Sequence, residues 1–116
     1  MAASIETREN EYVEILQTHY FKGSYEQVKE AYLAHLDSIG FNVISVDETY
    51  FEIFAEIPRM TVTAKIIQQN PRETSIDFYV DADFLFGSKR KCMTFIATAY
   101  EAIEKKIPLK GLGLHK

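Results

Sequence analysis

Between Phe41 and Phe86, apolar residues fall on every second position through four consecutive segments. A period of two is that of a half-buried β-strand, because successive side chains point to opposite faces. Phe51, Ile53, Ala55 and Ile57 share one face of a strand; Met60, Val62, Ala64 and Ile66 share one face of the next, with Pro58-Arg59 between. If both sets meet one core, the connection holds an even number of residues, since a slip of one turns a whole set to water. That pairs Phe51 with Ile66, Ile53 with Ala64 and Ala55 with Val62. Proline cannot take the positive φ of a two-residue primed turn, so a wider loop of the same parity is expected. A two-residue Glu48-Thr49 link sets Val46 opposite Phe51 and Ile44 opposite Ile53. A connection over 68–74, marked by Asn70-Pro71, leads to Ile76, Phe78, Val80, Ala82, Phe84 and Phe86. This last strand is the longest and most aromatic, and is expected at the sheet centre.

The flanks supply helices. Residues 1–10 are polar and aperiodic apart from Ile5 and read as a flexible N-terminal arm. Residues 11–21 favour a strand by their β-branched and aromatic content, although neither face is cleanly polar and a helix beginning near Ser4 is the alternative. Ser24 opens a helix with Gln27 at capping-box spacing; Val28, Ala31, Tyr32, Leu36 and Ile39 form its apolar stripe and Gly40 stops it. Gly87-Ser88 introduces a second helix in which Cys92, Phe95, Ile96, Ala99, Ile103 and Ile107 share a face, ended by Pro108. Residues 109–116 form a short tail. The fold class is α+β: a single domain over 11–108, two-layered, with an antiparallel five-stranded sheet and two helices on one face.

That β-α-β-β-β-β-α order resembles the TATA-box-binding-protein-like fold. The resemblance carries element order and no functional residue. The nucleic-acid-binding form of that fold joins two such units around a concave DNA-binding sheet, whereas this chain has one unit. A helix-grip, lipid-binding arrangement is a second resemblance, and it ordinarily needs more strands.

Seventeen acidic against thirteen basic residues give a net charge of −4. This argues against general nucleic-acid binding, which rests on neutralising phosphates. At 47% hydrophobic and 26% charged, 116 residues describe one globular domain. No apolar run reaches the ~20 residues that cross a bilayer, and the N-terminus lacks a secretory core. One cysteine excludes an intrachain disulfide and fits a reducing, cytoplasmic setting.

The sheet face turned from the core carries Tyr50, Glu52, Phe54 and Glu56; Thr61, Thr63, Lys65 and Ile67; and Ser75, Asp77, Tyr79, Asp81 and Asp83. Lys65 falls between Glu52 and Asp77. Tyr50, Phe54, Ile67 and Tyr79 are apolar bodies on a face that should be wet, the mark of an association surface, while the bland reading is solvation. Ser88, Lys89, Arg90 and Lys91 open a helix after a strand, where free N–H groups and cations can receive an anion; an exposed basic turn is the ordinary explanation. Asp81 and Asp83 share a strand face but lack a calcium-loop pattern. Cys92 is a buried small hydrophobe or, beside three cations, an activated thiol. His19, His35 and His115 lack metal-ligand spacing. No metal or other cofactor is expected. The leading function is a small non-catalytic binding or assembly module, a homodimer or other homo-oligomer, without nucleic-acid or membrane partners. The alternative is a carrier or sensor of a small amphipathic or anionic ligand held between sheet and helices, its acidic head near Lys89–Lys91. A cysteine- or metal-dependent enzyme ranks last.

Overall fold

Alternation over 41–86 yields four strands of a larger sheet. In the computed structural model, residues 2–115 are described. They run β1 (Ala2–Glu6), a 3-10 turn (Glu14–Leu16), β2 (His19–Phe21), α1 (Tyr25–Ser38), β3 (Asn42–Asp47), β4 (Glu52–Ile57), β5 (Met60–Asn70), β6 (Glu73–Asp83), α2 (Ser88–Glu104) and β7 (Leu109–Leu112). The strand order is β3-β4-β5-β6-β2-β7, antiparallel throughout, with β1 also pairing β6. The open sheet thus has seven strands where five were expected. The residues expected as arm and tail supply β1 and β7, each too short for its alternation to stand out from a loop. Of residues 11–21, only His19–Phe21 is strand. β1 and β2 share one side of β6, against residues 79–83 and 74–76 respectively.

The register of the central hairpin follows the alternation. Ile53 lies opposite Ala64 and Ala55 opposite Val62, and the Ile66 N–H donates to the Phe51 carbonyl at 3.0 Å. β6 is interior, as expected of the most aromatic strand. The connections differ. Ile57 pairs with Met60, so Pro58-Arg59 is itself the whole turn, with Arg59 at φ 71°. Proline at the first corner and a left-handed residue at the second is a type II arrangement, which spares proline the positive φ of a primed turn. The link from β3 to β4 is four residues, because the Asp47 carboxylate accepts from the N–H groups of Thr49 (2.8 Å) and Tyr50 (3.0 Å) and holds a wider turn. Val46 therefore faces Ile53 rather than Phe51, and a bulge at Ile44 sets Val43 opposite Ala55. β5 runs on to Asn70, leaving only Pro71-Arg72 as the turn; the Asn70 side chain accepts from the Arg72 N–H at 2.9 Å. β6 stops at Asp83, so the alternation through Phe84 and Phe86 outlasts the strand.

α1 carries the expected capping box: Ser24 Oγ accepts from the Gln27 N–H (3.2 Å), and Gln27 Oε1 accepts from the Ser24 N–H (2.9 Å). Gly40, at φ 76°, takes the left-handed conformation that ends the helix. The buried residues of both helices join the inward residues of β4, β5 and β6 in one core. Phe78 is its hub, with ring centroids 5.4 Å from Tyr32, 5.8 Å from Phe95 and 5.0 Å from Tyr100. Burying each such side chain contributes about 1.5–3 kcal/mol.

Candidate functional site

The outer sheet face is sorted by register into rows. Phe54, Thr63, Tyr79 and Glu6 lie side by side across β4, β5, β6 and β1. The next row is Glu52, Lys65 and Asp77, with Lys65 between the two acids as expected; Lys65 Nζ is 3.8 Å from Glu52. Ile67 lies beyond that polar row, opposite Ser75, and Tyr50 projects from the β3–β4 turn. The structure thus brings Phe54 and Tyr79 into one row and separates Ile67 and Tyr50 from them.

Asp77 turns toward the gap between β1 and β2. Its Oδ1 accepts from the hydroxyls of Thr7 (2.6 Å) and Thr18 (2.8 Å), and burial holds its carboxyl above the usual range. Farther along, Tyr20 donates to Glu9, while Lys110 and His115 both reach Glu73. The arm and tail therefore cover β2 on the face expected to be wet, burying Ser75, Glu73 and Tyr20. The sequence holds no local signal for this, since the partners are 11 to 70 residues apart.

β3 is an edge strand, with no strand on its outer side among the described residues. Val43 and Val46 belong to the inward rows, yet they are 37% and 39% exposed, because α1 covers this edge only in part. Ile44 at the bulge (49%), Ile39 and Phe51 extend the apolar strip. Edge strands are commonly blunted by lysine or proline. β3 has neither, and only the bulge and Asp47 interrupt it.

At the start of α2, Gly87 takes the cap position at φ 73° without a side-chain cap. Ser88 is buried: its hydroxyl accepts from the Phe84 N–H (2.8 Å) and donates to the Phe84 carbonyl (3.2 Å). It fastens the loop and is not turned toward a ligand. Lys89, Arg90 and Lys91 are exposed, and Arg90 and Lys91 border an open groove of about 450 Å³. The groove is walled by Ile39 and Phe41 after α1, Ile57 and Met60 at the β4–β5 turn, and Phe84 and Phe95. Lys91 Nζ lies 4.9 Å from the Phe84 ring centroid. Leu85 and Phe86 beside it are 77% and 82% exposed.

The remaining candidates occupy separate places. Cys92 is buried with its Sγ 3.8 Å from the carbonyls of Ala3 and Val80; burial, then the nearby Asp81 charge, pushes its thiol up, away from the thiolate. Its three cationic neighbours in sequence do not reverse that balance. Asp81 accepts from the Ser4 hydroxyl, and the Asp83 main chain is tied to Arg59. His19 stacks on Tyr100 at 3.4 Å, and burial lowers its pKa to about 4. His35 lies between α1 and α2, lowered by burial. Among the described residues no three His, Cys, Asp or Glu side chains gather as a metal site, and no helix is long and apolar enough to cross a membrane. No protein family, curated protein or solved structure matches this chain.

Proposed function

We propose that this chain is a small non-catalytic assembly module that pairs with a second copy of itself along β3. The observation that carries the reading is the edge itself: among the described residues β3 is paired on one side only, and its inward residues Val43 and Val46 remain partly exposed. An edge of this kind is a template for another strand. A two-fold antiparallel pairing of Asn42–Asp47 with its own copy would set Val43 against Val46 and Asn42 against Asp47. Apolar pairs then meet on the core face and no like charges oppose each other. We place the module in the cytoplasm, in keeping with its single unpaired cysteine.

Sedimentation across micromolar to submillimolar concentrations tests this. Association is expected, and Val46→Lys should weaken it by about tenfold or more, equivalent to about 1.4 kcal/mol. A chain that stays monomeric at the highest concentration overturns the proposal. The outer-face residues Tyr50, Phe54, Ile67 and Tyr79 are the competing surface. If Tyr79→Lys dissolves the assembly and Val46→Lys does not, self-association stands and the contact moves to that face.

A further inference from the structure

We propose that the groove between α2 and the β4–β5 turn binds a single-chain amphipath with an anionic head, such as a medium-chain carboxylate. In a chain of seventeen acids and thirteen bases, this groove is lined by Arg90 and Lys91 and by no carboxylate. Four other surface grooves each contain at least one acid: Glu101; Glu73; Glu30; and Glu6, Glu52 and Asp77 together. Among the described residues neither Arg90 nor Lys91 forms an ion pair, whereas Lys29, Lys65, Lys105 and Lys110 all do. Two cations without a carboxylate partner among the described residues, on an apolar rim, match one anionic head.

Shape specifies the rest. Lys91, Thr94, Phe95 and Thr98 lie three and four apart, so they form one stripe along α2. From Lys91 to Thr98 the helix advances about 10 Å, the reach of a medium acyl chain. Thr98 turns its hydroxyl back to the Thr94 carbonyl at 2.8 Å, so its polar group is satisfied within the helix. The head sits at Arg90 and Lys91; the tail runs over Phe95 toward Ile39, with Met60 and Ile57 beneath. The volume falls in the range of small-molecule sites.

The probe is decanoate, followed by the methyl NMR signals of Met60, Ile57 and Ile39. Decanoate should shift these signals saturably. It should bind about four to fifteen times more tightly than octanoate, from about twofold per methylene in an open groove to about fourfold when fully buried. Arg90→Glu or Lys91→Glu should weaken binding by about five- to twentyfold. Lys89→Glu, the same charge change off the groove, should change it less than about twofold. Val46→Lys should leave binding intact, so this site and the β3 assembly fail separately. Decyltrimethylammonium binding as tightly as decanoate, or Lys89→Glu weakening binding as much as Arg90→Glu, overturns the proposal. So do groove signals that follow protein concentration and ignore decanoate, which would make a second copy the occupant.

Discussion

Two buried tyrosines should respond in opposite directions to the same chemical change. Tyr32 is 0% exposed, and among the described residues its hydroxyl has no hydrogen-bond partner. Tyr100 is 2% exposed, and its hydroxyl donates to the Ile76 carbonyl at 2.9 Å. In both, burial pushes the phenol far above its ordinary pKa, so each is a neutral hydroxyl at every relevant pH. Tyr32→Phe keeps the ring that packs on Phe78 and removes a desolvated polar group, which should stabilise the fold by about 1–2 kcal/mol. Tyr100→Phe loses a made hydrogen bond and leaves a carbonyl short of a partner, which should cost about 1–2 kcal/mol. The expected separation between the variants is about 2–4 kcal/mol. Each kcal/mol corresponds to about 3–5 °C in Tm for a chain of this length. Urea unfolding followed by circular dichroism measures both, with equal m-values as the check that the unfolded states match. A Tyr32→Phe chain destabilised as much as Tyr100→Phe would refute the reasoning.

Stability should also fall in mild acid. Burial lowers His19 from an ordinary 6.5 to about 4, so between those values the unfolded chain binds the proton and the fold does not. The contribution is fully present above pH 6.5 and is lost as pH falls toward 4, by about 3 kcal/mol in all. Asp77 acts oppositely: its raised pKa favours the fold at low pH and costs stability as pH rises through it. In unfolding curves over this range, His19→Asn should flatten the decline and Asp77→Asn should steepen it; an unchanged slope in His19→Asn removes this assignment. Cys92 should react with a disulfide reagent only at the rate of unfolding, since its thiol is buried and pushed up. Rapid labelling of the native chain would return it to candidacy as a nucleophile.

The central hairpin was legible because Ile53, Ala55, Val62 and Ala64 need one parity to share a core, and parity survives uncertainty about turns. Turns were less legible because their geometry is set by single side chains. The Asp47 carboxylate widens one link, and Arg59 takes the positive φ that closes Pro58-Arg59 as a two-residue turn where a wider loop was expected. β1 and β7 were illegible for a different reason. Each completes a sheet whose other members are far away in sequence, so no local period identifies it. β1 gains its place from β6 residues 79–83, and only Ala3 and Ile5 mark its inward face.

The same limit explains where function is expected. The alternation from Ile76 to Ala82 is satisfied by the core, but it continues through Phe84 and Phe86 after β6 has ended. Phe84 still packs against the edge of the core, but Phe86 follows the core pattern without a core to enter, and the cations that come next in sequence break the preference for acids at a helix start. At β3 the mismatch recurs: Val43 and Val46 continue the inward rows to where α1 gives only partial cover. Local patterns that a fold leaves unanswered are where an external partner can answer them. Periodicity read alone cannot separate a residue that will be covered by the chain from one that will not. That distinction depends on how far two helices reach across seven strands, and here they cover β3 only in part and leave one flank of α2 open as a groove.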